Sequence, residues 1–408
     1  MSTLLDRFLR YVRIDTMADE RSGTYPSTPN QLVLGKLLLQ ELLDLGLTDA
    51  VQTKDGIVYA TVPGNVPGVP TVAFVAHVDT SPETTAKNVN PQVIENYRGG
   101  DIVLPGDTSK VIRTSDSPEL NALIGKTIIT TDGTTLLGGD DKCGVAVIME
   151  LAKALMENPS IPHGPVRICF TCDEEIGKGV NHVDLKELAA DVAYTLDGAG
   201  TAEVEGETFS ADKATVTITG VNIHPSIAKG RMVNAVKLAG EFLAKLPTDT
   251  LSPETTEGME GFVHPYIIEG GVGEVKLHCL LRSFDTPKLT EYADLLRQFG
   301  KEIEAARPAA KVTVEVAYQY RNMRDGMVKE PRAIPYALEA TRRAGLTPVQ
   351  KSIRGGTDGS RLTEMGLPTP NLSTGEHNFH SPLEWTCLEE MEAAVRVCVE
   401  LVQVWAGK

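Results

Sequence analysis

The stretch Thr71-Val72-Ala73-Phe74-Val75-Ala76-His77 constrains this chain more than any other. Its apolar run from Val72 to Ala76 leaves neither face suited to water, and such a strand belongs inside a sheet covered by helices. It ends in His77-Val78-Asp79. In α/β sheets ligands bind beyond the carboxyl ends of the strands. Residues two apart on an extended chain face the same way, so His77 and Asp79 share a side where such a fold does its chemistry.

The rest of the chain supplies the layers that this strand demands. Helical spacing of apolar residues runs over 1–16 and 29–45, with Leu32, Leu34, Leu38, Leu39, Leu42 and Leu43 among the apolar positions. Further strands are expected at 57–62, 165–172 and 192–197, and a helix at 142–157. Residues 81–126 are polar and rich in turn formers, an excursion with short hairpin strands. Near Thr208 the pattern changes. Residues 212–221 alternate as a half-exposed strand, and helices (231–246, 287–306) and strands (263–269, 273–284, 311–319) follow. That β-α-β-β-α-β order is the split βαβ arrangement. The fold class expected is therefore α/β. A larger layered domain with a mixed central sheet (1–207 and 322–408) carries an inserted smaller α+β, ferredoxin-like domain (208–321). Beyond Arg324 the α/β pattern resumes and ends in a helix at 387–406.

Four more segments repeat the theme of the first strand. Gly138-Gly139-Asp140-Asp141-Lys142 sets two carboxylates in a glycine-rich turn before a helix, where a cap needs only one. Asp173-Glu174-Glu175 follows a buried strand directly. Three adjacent carboxylates repel one another and settle either in open solvent or around a cation. Asp197 ends another buried strand, and Glu376-His377-Asn378-Phe379-His380 supplies imidazoles near the C-terminus. A set of His, Asp, Glu, Asp and His suits zinc, cobalt or manganese better than calcium. Five such groups exceed the usual three protein ligands of one catalytic zinc and suit two ions sharing a carboxylate. One Glu of the 174–175 pair is then left to carry a proton.

Taken in order, H-V-D, G-G-D-D-K-C-G, D-E-E-I-G, L-D-G and E-H-N-F-H resemble the zinc aminoacylase/carboxypeptidase superfamily, most closely its tripeptide aminopeptidases. The resemblance runs over nearly the whole chain. It implies two Zn²⁺ per subunit, with Co²⁺ or Mn²⁺ as substitutes. His77 would bind one ion and His380 the other, Asp140 would bridge both, and Glu175 would complete one ion's shell and Asp197 the other's. Glu174 would be general base and then acid, and Asp79 would orient His77. The activity implied is release of the N-terminal residue from tripeptides by attack of a zinc-bridging hydroxide. The inserted domain would be a lid, a dimerisation platform in some members, so a homodimer is among the expected partners beside a short peptide. His224 would stabilise the oxyanion, and Asn234, Arg282 and Arg354 would contact substrate, Arg354 from a turn of the catalytic domain. The alternatives are a dipeptidase or N-acyl amino acid amidohydrolase of the same superfamily, or a peptide-binding protein without chemistry.

Charge and cysteines narrow the setting. The net charge is −16, with 55 acidic and 39 basic residues and no Lys/Arg cluster, which argues against nucleic acid as a partner. No apolar run reaches the roughly 18 residues of a membrane helix, and no signal-peptide layout opens the sequence. Six scattered cysteines, including Cys169 and Cys172 on an apparent buried strand, are expected as reduced core thiols in a cytoplasmic protein.

Overall fold

In the computed structural model, strand Val72–His77 lies inside an eleven-stranded mixed sheet. Residues 3–408 are described. Of the helical stretch expected over 1–16, residues 1 and 2 lie outside the described residues, and the helix spans Leu4–Tyr11. Strand Val72–His77 pairs in parallel with Val166–Thr171 on one side and Val192–Ala199 on the other. Asn371–His377 adds a fourth parallel strand beyond Val192–Ala199. Antiparallel strands flank this block, Val58–Val62 at one end and Trp385–Cys387 at the other. Four adjacent parallel strands thus deliver their carboxyl ends to one side, the arrangement in which α/β sheets bind ligands.

Both faces of the sheet are covered. Phe74 and Ala76 join one apolar cluster with Val58, Ala60, Leu34, Leu38 and Leu42. Ala73 and Val75, on the alternate face, join another with Tyr59, Cys169 and Leu362. One strand feeding two cores explains why it carries no polar residue before His77. All six cysteines are free and buried. No helix among the described residues is long and apolar enough to cross a membrane.

The chain forms two compact units, one of residues 1–206, 325–351 and 357–408, the other of 207–324 with 352–356. The second unit has its own antiparallel sheet, in the order Phe262–Gly270, Glu274–Ser283, Ser210–Thr219, Lys311–Tyr320. Helices Ala235–Leu243 and Thr286–Ala306 bury Leu238, Phe242, Leu296 and Phe299 against Val216 and Leu277 of that sheet. The Arg354 turn, expected with the larger unit, groups with this one instead. The Phe209 N–H donates to the Ile353 carbonyl (3.1 Å), and the Arg354 guanidinium stacks over Phe209 and Phe262.

Strand Asn371–His377 gave no apolar signal in the sequence, yet all seven residues are buried. Its polar groups are matched internally: the Asn371 amide donates to the Asp197 carbonyl (2.9 Å), and the Thr374 hydroxyl donates to Glu376 (2.9 Å).

Candidate metal centre

Five side chains converge beyond the four parallel strands. His77 ends the first, Glu175 follows Val166–Thr171, Asp197 lies within Val192–Ala199, and His380 follows Asn371–His377. The fifth, Asp140, enters at the head of helix Gly139–Glu157. Its Oδ1 lies 3.0 Å from His77 Nε2 and its Oδ2 3.2 Å from His380 Nε2. His77 Nε2 is also 3.6 Å from Asp197, and His380 Nε2 2.9 Å from Glu175. Two groups of ligand atoms result, His77–Asp140–Asp197 and Asp140–Glu175–His380, each within 4.8 Å of one another. Asp140 belongs to both. Glu175 Oε1 is buried without a hydrogen-bond partner, an orphan acceptor beside a second carboxylate that calls for a cation.

The local chain explains how Asp140 reaches both histidines. Gly138 adopts φ 82°, and Asp140 and Asp141, joined by a cis peptide bond, have non-helical dihedral angles, so the regular helix begins at Lys142. The adjacent aspartates divide their work. Asp141 accepts from the backbone N–H of His77 (3.0 Å) and of Gly144 (3.1 Å), tying the helix to the histidine strand. Glu384 accepts from the N–H groups of Leu137 (2.6 Å), Gly138 (2.8 Å) and Asp140 (3.1 Å) and fixes the turn from outside. A Cβ on Gly144 would meet the Leu196 carbonyl at 1.8 Å and Asp141 Oδ1 at 2.3 Å, so only glycine lets the helix sit against the Asp197 strand.

Asp79 holds two things at once. His77 Nδ1 lies 3.3 Å from its carboxylate and 3.1 Å from its carbonyl, which fixes the ring. The same carboxylate accepts from the backbone N–H groups of Glu174 (3.0 Å) and Glu175 (3.1 Å). Behind His380 stands Glu83, 3.4 Å from Nδ1.

The electrostatics reflect crowded carboxylates. Burial, and then Asp197, Asp358 and Glu175, push the Glu174 carboxyl well above the usual carboxylate range despite His77 nearby. Burial and Asp140 raise Glu175 to about 8 and Asp197 to about 6. Burial opposes charge on Asp140 too, but hydrogen bonds with His380 and His77 hold its carboxyl well below its ordinary value. Burial likewise disfavours the charged imidazoles. Contacts with Asp140 and Asp197 nonetheless lift His77 well up, and Asp140 and Glu175 lift His380 to about 11. Such a site holds more negative charge than its own cations balance, and a metal ion favours the deprotonated ligands.

The four expected substrate contacts all lie in the smaller unit, with local duties there. His224 Nδ1 accepts from the Ser226 backbone N–H (3.3 Å). The Asn234 side-chain carbonyl caps helix Ala235–Leu243 by accepting from Val236 N–H (2.9 Å). Arg282 donates to Gln319 (2.9 Å) and the Leu281 carbonyl (3.0 Å). Arg354 donates to the carbonyls of Gly258 and Glu260 (both 2.8 Å) and to Thr256 Oγ1 (3.0 Å). These Arg282 bonds all come from Nη1, whereas Arg354 uses both Nη1 and Nη2. Sequence reasoning missed the supporting carboxylates Asp141, Glu376, Asp358 and Glu384. Asp141 and Glu376 form a further close group with Asp197, and Asp358 accepts from the Thr171 hydroxyl at 2.6 Å. Only the doubled aspartate carried a signal.

Residues 133–404 match the model of peptidase family M20/M25/M40. A peptidase T of Salmonella schwarzengrund is 44% identical over 410 residues, covering 100% of both chains. Among solved structures, a tripeptidase from Staphylococcus aureus superposes with a TM-score of 0.77 at 22% identity, covering 99% of this chain and 98% of that one. A dinuclear metal binding peptidase of the M20 family from Bacillus subtilis gives 0.66 at 15% identity, covering 98% and 97%. At those identities the two structures speak for the fold alone.

Proposed function

This chain belongs to peptidase family M20/M25/M40, and from that membership we propose that it is a metal-dependent aminopeptidase releasing the N-terminal residue from tripeptides. One observation carries the metal part: Asp140 turns one oxygen to His77 and the other to His380. A carboxylate shared in this way supports two ions, with His77 and Asp197 serving one, His380 and Glu175 the other. The donor set fits zinc, with cobalt or manganese as substitutes. When bound, the ions supply Lewis acidity toward the scissile carbonyl and lower the pKa of water toward 7.

The protein's own groups do the rest. Glu174 is the proton carrier. It is not needed as a ligand, and burial among carboxylates makes it a willing proton acceptor. It takes a proton from the attacking water and returns it to the departing amine. Asp79 keeps His77 in one orientation and holds the Glu174 backbone in place. The smaller unit is read as the lid. His224 Nδ1 accepts a backbone N–H, so its neutral ring carries the proton on Nε2. A donor of that kind suits a developing oxyanion. On the outer strand of this unit Tyr266, Ile267 and Ile268 are exposed, which supports a homodimer. Six buried free thiols support a reducing cytoplasm.

The test is turnover of the zinc-loaded protein, with a chelator control, on Ala-Ala-Ala, Ala-Ala, N-acetylated tripeptide and an N-acyl amino acid. Release of free alanine from the tripeptide, abolished by acetylation and by chelator, is the expected result. Equal cleavage of the acetylated peptide or of the N-acyl amino acid overturns the aminopeptidase reading. Glu174→Gln should lower turnover by about 10²–10⁴ with metal retained, and near-normal turnover removes the proton-carrier assignment.

A further inference from the structure

The turn that carries Glu174 and Glu175 is gripped from behind by a segment far away in sequence. Its first residue, Asp173, is fully buried, and its backbone takes the left-handed conformation (φ 62°), which is costly for a residue with a side chain. Its carboxylate faces away from the ligand set. It accepts from the backbone N–H of Ser27 (2.6 Å), from the Ser27 hydroxyl and from the Gln31 amide (2.6 Å). The Gln31 carbonyl accepts in return from the Asp173 N–H (3.0 Å), so this one amide brackets Asp173 at both ends. Tyr25 adds its hydroxyl, which contacts the carbonyls of Cys172 (2.9 Å) and Gly179 (3.1 Å) and so spans the turn from entry to exit. The same segment also reaches the strand end that carries Asp79. The Ala18 N–H donates to the Thr80 carbonyl (3.0 Å), and the Thr80 N–H donates to Thr16 (3.3 Å).

Residues 174 and 175 are therefore held between two carboxylates. Asp79 takes their N–H groups on the metal side, and Asp173, immobilised by Ser27 and Gln31, fixes the chain just before them. We propose that Ser27 and Gln31 are positioning residues for the reaction, acting through Asp173 to aim the Glu174 carboxylate. This rests on reading Glu174 as the proton carrier. The physical reason is the tolerance of proton transfer: donor and acceptor must lie within about 2.6–3.2 Å, and a misplacement of about 1 Å costs about 10²-fold. A left-handed residue released from its bracket relaxes toward a commoner conformation and swings the next side chain away. Ser27 and Gln31 bond to Asp173 and to none of the five candidate ligand side chains, so their effect reaches the site through the 173–175 turn.

The test uses the zinc-loaded full chain. Gln31→Leu and Ser27→Ala should each lower kcat by about 10- to 100-fold, the range for outer partners of a reacting group, with KM within about twofold and metal content unchanged. Ser27→Thr, which keeps the hydroxyl, should restore most of the rate. In a Glu174→Gln background, Gln31→Leu should lower the residual rate no further, because groups acting as one unit are non-additive. Unchanged kcat in both single variants, or full additivity in the double variant, overturns the proposal. Should Gln31→Leu fail to fold, Ser27→Ala, which leaves every backbone bond in place, decides the matter alone. A disabled Glu174→Gln beside undisturbed Ser27 and Gln31 variants sinks this inference only, whereas a near-normal Glu174→Gln sinks the proton-carrier reading with it.

Discussion

The two halves of the ligand set use the same residue types in opposite settings. The His77 side chain is 2% exposed and backed by Asp79 at 0%, whereas His380 is 33% exposed and backed by Glu83 at 71%. His77 ends a strand pinned on both sides, with its backbone N–H held by Asp141. His380 sits in a loop, in a left-handed conformation (φ 60°). The enclosed half, built on a sheet, is held by the fold itself. The open half, on a loop, stays in contact with solvent. The difference teaches that what stands behind an imidazole decides how firmly the fold itself holds it.

The largest effect should come from the residue common to both halves. Asp140→Ala is expected to reduce metal content to near zero and turnover to background. Elemental analysis finding a full equivalent still bound would break the idea of a shared carboxylate. Next, His380→Ala should retain about one ion per chain and His77→Ala less than one, because the enclosed half is the tighter. The same order governs stepwise chelation, where activity should disappear once the first equivalent leaves. Retention of equal amounts by the two variants removes the asymmetry. The smallest effects separate the backing carboxylates. Asp79→Asn should cost about 10- to 100-fold in kcat/KM. Glu83→Gln, in an exposed pair worth little in water, should cost less than about threefold. A larger loss at Glu83 would mean that the open half is as firmly supported as the enclosed one.

Much of this site was legible in the sequence. Apolar strands end abruptly in His, Asp or Glu, and that contrast marks His77, Asp197 and the 173–175 knot without a structure. Strand Asn371–His377 was hidden because its polar residues satisfy one another inside the protein, and hydropathy does not register internal pairing. The role of Glu384 was equally invisible, since it depends on three backbone N–H groups some 245 residues away. Asn234, Arg282 and Arg354 show the converse. The resemblance implies a substrate contact for each, and the structure also gives each a local partner, a helix end, a carbonyl or a neighbouring side chain. A cap or a loop anchor is the commoner employment of such residues, and nothing in residue type alone separates the two.

Gly144 turns the spacing of the site into a tolerance rather than a sequence motif. With 1.8 Å between an added methyl carbon and the Leu196 carbonyl, even alanine would lever the helix off the sheet, and Asp140 rides on that helix while Asp197 rides on that strand. The gap between the Asp140 and Asp197 carboxylates is thus gauged by the absence of a side chain on a residue outside the candidate ligand set. Any attempt to retune the centre for a larger or smaller metal by exchanging its ligands leaves that gauge unchanged, and the chosen ligands must still meet across the distance it sets.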